Sequence, residues 1–194
     1  MVGKVLYLGS REGLEATREV LGDVAEVVHV DATADAVRAA LPTACAILDA
    51  SMRVRITDVM VSAAPELRII SCATTGSDHI ERRGLMARGI PVRTLKEDGD
   101  LLRNITPAAE LTWALVMGLA RRLVPAVAHT RAGLWVRESF PGLMLNGRRL
   151  GLVGCGRIGG WVARYGQAFG LSVVAYDPYL EVLPPGVERA WDLE

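Results

Sequence analysis

The stretch Leu150–Gly160, LGLVGCGRIGG, constrains this chain most. A short apolar run, Leu150–Val153, leads into Gly154-Cys155-Gly156-Arg157-Ile158-Gly159, which is G-x-G-x-x-G. The pattern then predicts a helix from Gly160 to about Phe169, and a second strand, Ser172–Tyr176, ending on Asp177. Strand, glycines, helix, strand and acid in that order form a dinucleotide-binding signature, whereas the glycines alone would be weak. Gly154 permits a tight turn, Gly156 lets a pyrophosphate approach the backbone, and Gly159 lets the helix pack closely. The first N–H groups of the helix, around Arg157 and Ile158, have no intrahelical acceptor and sit at the positive end of the dipole. Asp177 follows Gly159 by 18 residues, where a carboxylate accepts hydrogen bonds from a ribose diol. It repels a 2′-phosphate, so NAD is the expected cofactor over NADP. A glycine-rich turn in another α/β protein and a methyltransferase are the alternatives left by this motif alone.

The remainder is a succession of apolar runs and helical segments. Strands are predicted at Val5–Leu8, Ala25–Val30, Ala44–Leu48, Leu67–Cys72 and Pro91–Thr94. Helices are predicted at Glu12–Leu21, Ala34–Leu41, Ile56–Ala64 and Asp78–Arg88, the last stopped by Gly89. Strands alternating with helices imply a parallel sheet. This first unit lacks a glycine fingerprint, so it is not the expected dinucleotide site. Lys96–Asn104 reads as a polar crossing loop, and Thr106-Pro107 as an N-cap followed by a first-turn proline. The helix from there is apolar nearly all round over Leu111–Ala120, so burial between domains is expected. A second helix is expected after Pro125, to about Gly133, and Leu134–Gly147 reads as irregular.

Composition excludes several classes. Lys+Arg and Asp+Glu are both 22, so nothing points to nucleic acid. The longest uncharged run, Tyr165–Tyr176, is too short to span a bilayer, and the N-terminus lacks a leader pattern. Cys45, Cys72 and Cys155 are odd in number and widely spaced, as expected of reduced thiols in a cytoplasm. Cys155 is either an oxidation-sensitive thiol in the phosphate loop or simply a small residue there. No metal-ligand spacing is present.

Four blocks carry a family resemblance. Thr74-Thr75-Gly76-Ser77-Asp78-His79-Ile80 resembles the T-G-x-D-x-I loop of the D-isomer-specific 2-hydroxyacid dehydrogenases. Asn104-Ile105-Thr106-Pro107-Ala108-Ala109-Glu110-Leu111-Thr112-Trp113 looks like the start of that family's interdomain helix. Arg131-Ala132-Gly133-Leu134-Trp135 resembles its R-x-G-x-W arm, and Leu145–Gly160 with Ala168–Tyr179 resembles its cofactor segment. The resemblance implies a flavodoxin-like substrate domain, residues 1–103, and a Rossmann domain, here 104–194 and incomplete, facing it across a cleft. It implies that backbone N–H groups around Thr75 and Gly76 hold the carboxylate of a small 2-keto or 2-hydroxy acid, and that Asn104 lies near it. A turn glycine and a helix-flanking polar residue are the plain readings of Gly76 and Asn104. The resemblance also implies a homodimer.

Reduction of a 2-keto acid needs a cation at the carbonyl, a general acid and a partner for that acid. The family supplies an Arg, a His and a Glu, all from segments downstream of Trp191-Asp192-Leu193-Glu194. No catalytic residue is therefore expected here, and His79, the histidine nearest the chemistry, is expected to be structural or solvent-exposed. The second domain is expected to supply only two strands of a sheet of about six. The expectation is an inactive chain with weak or no dinucleotide binding that associates through an exposed patch. Three readings follow: part of an NAD-dependent dehydrogenase, a non-catalytic binding relative, or an inactive truncated product.

Overall fold

The computed structural model describes residues 3–193; Met1, Val2 and Glu194, the outer limits of the expected domains, lie outside the described residues. The chain divides into two compact units, Met1–Leu102 and Arg103–Glu194.

The first unit contains β1 (Gly3–Leu8), α1 (Arg11–Leu21), β2 (Ala25–His29), α2 (Ala34–Ala40), β3 (Ala46–Asp49), α3 (Asp58–Val61), β4 (Ile69–Cys72), α4 (Arg82–Ala87) and β5 (Val92–Thr94). Its five strands are all parallel, in the order β2-β1-β3-β4-β5, which is the flavodoxin-like order. Alternation along β1 separates two cores. Leu6 and Leu8 join Ile47, Ile70, Val37, Met60 and Leu85 on the face covered by α2, α3 and α4, while Tyr7 joins Leu14 of α1 and Val27 on the other. Ser10, Thr33 and Thr57 accept hydrogen bonds from the first turns of α1, α2 and α3, so side-chain caps start all three helices.

Two helices start later than the sequence predicts, for one shared reason. Ile56 and Ile80 form an isolated parallel bridge, with Ile56 N–H donating to His79 O and Glu81 N–H to Ile56 O. That bridge takes both residues out of the helices expected from 56 and from 78, so α3 starts at Asp58 and α4 at Arg82. Gly89, at φ +74°, ends α4 as expected. The expected loop over Lys96–Asn104 is instead a 3-10 turn, Leu95–Glu97, followed by α5 (Gly99–Arg103), whose start is held by Asp98 Oδ1 accepting from Leu101 N–H.

The second unit contains α6 (Pro107–Ala120), α7 (Leu123–Arg131), β6 (Arg149–Val153), α8 (Arg157–Ala168), β7 (Ser172–Tyr176) and β8 (Val187–Arg189). Its sheet is parallel with the order β6-β7-β8, so it has three strands, not the expected two. The third escapes a pattern reading because it has three residues and follows Pro184-Pro185. The core is formed by Ala109 and Trp113 of α6 against Val162 of α8 and Leu171, with Phe169 tilted at 5.0 Å from the Trp113 ring. Gly166 lets α8 lie close on the sheet: a Cβ there would lie 2.8 Å from Leu150 Cδ2 of β6.

Three expectations for this region change. Thr106 is not an N-cap: its backbone is helical, and its hydroxyl donates to Glu110 Oε1 instead of accepting from the first turn. Pro125 lies inside the first turn of α7, where an N–H would have no intrahelical partner. α6 is not buried all round: Leu111, Leu115 and Leu119, spaced four apart, stand exposed, Leu119 by 80%. Among the described residues no single helix is long and apolar enough to cross a membrane.

Candidate dinucleotide and carboxylate sites

β6 ends at Val153 and β7 at Tyr176, paired in register, so the glycine loop and Asp177 emerge side by side. Gly154 N–H donates to Tyr176 O, and Gly154 takes φ +89° to turn the chain. The loop then opens α8 at its N-terminus. Among the described residues, the backbone N–H groups of Gly156, Arg157, Ile158 and Gly159 have no hydrogen-bond acceptor. Four unfilled donors in succession at a helix start form an anion cradle. A Cβ built on Gly156 meets nothing within 4 Å, so that side of the loop is open to a ligand. A Cβ on Gly159 would lie 2.3 Å from Gly154 O, so this glycine is required by the loop's own packing.

Asp177 is held firmly by backbone donors. Its Oδ2 accepts from Cys155 N–H at 2.8 Å, and its Oδ1 from Tyr179 N–H at 3.0 Å and Leu180 N–H at 3.2 Å. These backbone donors, led by Cys155, hold its carboxyl below the usual carboxylate range. Oδ1 has both lone pairs taken, while Oδ2 retains one that can accept a further hydroxyl. Asp177 thus also fixes the phosphate loop, which the motif alone does not reveal. Cys155 is buried, and burial followed by the Asp177 charge raises its thiol pKa, which favours the small-residue reading over an oxidation-sensitive one.

The Arg157 side chain is bonded to the backbone before α6. Its Nη1 donates to Ile105 O at 2.6 Å instead of lying free at the cradle. One turn along α8, Trp161 Nε1 donates to Arg103 O at 3.0 Å. The two side chains thereby grip the carbonyls of the two residues flanking Asn104, which is exposed just before α6. Ile158 is partly exposed beside the cradle.

In the first unit, the loop after β4 carries Thr75 and Gly76. Thr74 Oγ1 donates to Gly76 O at 2.9 Å, and Leu95 N–H donates to Thr74 O, so the loop is folded tightly. The N–H groups of Thr75 and Gly76 have no acceptor among the described residues. A pair of unfilled backbone donors can hold a carboxylate. Nearby, Asp49 at the end of β3 is fully buried, and His79 Nε2 donates to its Oδ2 at 2.7 Å. His79 is therefore mostly buried, not solvent-exposed. Cys72, paired with Asp49 in register, has its thiol pushed up to about 11 by burial and then by the Asp49 charge. Among the described residues no group of three or more His, Cys, Asp or Glu could hold a metal ion.

A flavodoxin-like parallel unit and a second parallel unit opening on a glycine cradle define a two-unit dinucleotide-dependent oxidoreductase fold. The chain belongs to the D-isomer-specific 2-hydroxyacid dehydrogenase family. The model of that family's catalytic domain matches residues 6–98, and the model of its NAD-binding domain matches residues 113–190. D-3-phosphoglycerate dehydrogenase of Mycobacterium leprae is 38% identical over 167 residues, covering 86% of this chain and 30% of the relative. The TT0316 protein from Thermus thermophilus superposes with a TM-score of 0.80 at 30% identity, covering 96% of this chain and 60% of that one. D-lactate dehydrogenase from Aquifex aeolicus, solved with NAD and lactic acid, gives 0.78 at 26%, covering 96% and 56%. The chain thus spans about a third of the curated relatives' length and just over half of the solved chains. The cofactor of the family's matching domain is NAD, and the unfilled donors and open face of the glycine loop fit it.

Proposed function

We propose that this chain supplies the substrate-binding unit and the opening half of the NAD site of a dehydrogenase that interconverts a 2-keto acid and a D-2-hydroxy acid. The observation that carries this reading is the run of unfilled N–H groups over Gly156–Gly159 beside a face with no Cβ. The Gly154, Gly156 and Gly159 loop, with Arg157 and Ile158 at the helix start, cradles the pyrophosphate, and Asp177 accepts from the ribose diol. The bound nicotinamide cofactor supplies a hydride to the carbonyl carbon. Thr75 and Gly76 N–H groups hold the substrate carboxylate.

The general acid, its partner and the polarising cation come from residues outside these 194. The three histidines favour this view, because each is already engaged. His29 Nε2 donates to Gly9 O, His79 Nε2 to Asp49, and His129 Nε2 accepts from Val136 N–H. The chain by itself is inactive, works in the cytoplasm, and pairs with a second copy through α6, α7 and the arm bearing Trp135, which is 87% exposed. The test is calorimetric titration of the 194-residue protein with NADH, alongside a 2-keto acid reduction assay. Weak heat of binding, lost in Gly156→Val, with no turnover in either protein, is the expected result. Unchanged binding in that variant overturns the cradle, and turnover by the chain alone overturns the assignment of catalysis elsewhere.

A further inference from the structure

We propose that Asp49 and His79 are a buried positioning pair that sets the Thr75–Gly76 loop, an inference that rests on the reading of this loop as the carboxylate holder. Asp49 reaches the loop at its start, middle and end. At the start, Ala73 N–H donates to the Asp49 backbone oxygen at 2.9 Å. At the end, His79 Nε2 donates to Asp49 Oδ2 at 2.7 Å. In the middle, the contact runs through Met52. Asp49 Oδ1 accepts from Ser51 N–H, Ser51 Oγ and Met52 N–H, at 2.8, 2.8 and 3.2 Å. These bonds hold Met52 in the left-handed region at φ +56°, rare for a non-glycine residue. The Met52 Cε then lies 3.4 Å from the place a Cβ of Gly76 would take.

Simple filling of the interior does not account for the pair. His79 Nδ1 is buried and has no partner, an arrangement an apolar side chain of similar size would avoid. What the imidazole adds is a directed, charge-assisted bond that registers the end of the loop against the end of β3. The outcome is that Thr75 and Gly76 present their unfilled N–H groups with the loop fastened on both sides.

The experiment compares the 194-residue protein with His79→Phe and His79→Gln, using amide NMR and oxamate, a small 2-keto acid isostere, as the probe. Without ligand, His79→Phe is expected to speed exchange of the bonded Ser51 and Met52 amides by about tenfold or more, the range set by one charge-assisted bond, and to shift the Thr75 and Gly76 amide resonances. His79→Gln retains a donor and is expected to restore protection. With oxamate, the wild-type Thr75 and Gly76 amides shift, and the affinity falls about tenfold in His79→Phe but not in His79→Gln. A purely structural role would lower the melting temperature of His79→Phe and leave these four amides and the oxamate affinity alone, overturning the proposal. If His79→Phe does not fold, His79→Met against His79→Gln makes the same comparison, and equal loops in the two overturn it. Failure of oxamate to shift wild-type Thr75 and Gly76 ends the carboxylate reading, while the ligand-free spectra still decide the pair.

Discussion

At the scale of single residues, two glycines of the cradle separate folding from binding. A methyl group on Gly159 would lie 2.3 Å from Gly154 O, a backbone atom that cannot swing away. Gly159→Ala is expected to cost about 1–3 kcal/mol in denaturant unfolding, the usual range for overpacking. Gly156→Ala meets nothing and is expected to leave stability unchanged while NADH affinity drops about tenfold or more, because the methyl occupies the pyrophosphate's approach. Asp177 supplies a pH test. Its folded carboxyl titrates below the ordinary value near 3.8, so the unfolded chain takes up that proton first. Its stabilisation is therefore complete above that value and is lost as the pH falls through it toward the lower folded value. Acid melting curves of Asp177→Asn are expected to lack this part of the slope. The thiols give a third test: Cys72 and Cys155 are buried with raised pKa values, and Cys45 is partly exposed. An aromatic disulfide reagent at neutral pH is expected to titrate Cys45 alone in the folded protein and all three cysteines in denaturant.

At the scale of elements, the strands with strong apolar runs were legible, and so was the βαβ unit around the glycines. What the sequence hid were effects of partners far along the chain. The bridge between Ile56 and Ile80 shortens two helices, and no local propensity announces it. Ile105, 52 positions earlier, supplies the acceptor of the Arg157 guanidinium, and no local pattern announces it. The Asp177 carboxylate was read as a ribose ligand, but its bond to Cys155 N–H depends on the two strand ends lying together. α6 is apolar nearly all round, yet only part of that surface is covered. One face packs on α8, and Leu111, Leu115 and Leu119 form a separate exposed stripe. An unpartnered apolar stripe of this kind favours association. Leu115→Glu is expected to weaken self-association by about tenfold or more in sedimentation velocity, with the secondary structure unchanged.

At the scale of the whole molecule, two units share one chain. One is built on the five-stranded sheet and the other on Trp113, Val162 and Leu171. Separate cores need not melt as one. Calorimetry is expected to show an unfolding enthalpy larger than the van't Hoff value, and Trp113→Ala to lower only one component, by about 3–5 kcal/mol. The paired grip of Arg157 and Trp161 on the peptides around Asn104 has a consequence at this scale. Both side chains belong to the helix whose first turn forms the cradle, so an anion settling there and a ligand touching Asn104 act on one rigid rod. Free energy around a closed cycle of two bindings must sum to zero. Whatever assistance the first guest lends the second is returned in equal measure, and loosening the grip should make the two guests indifferent to each other.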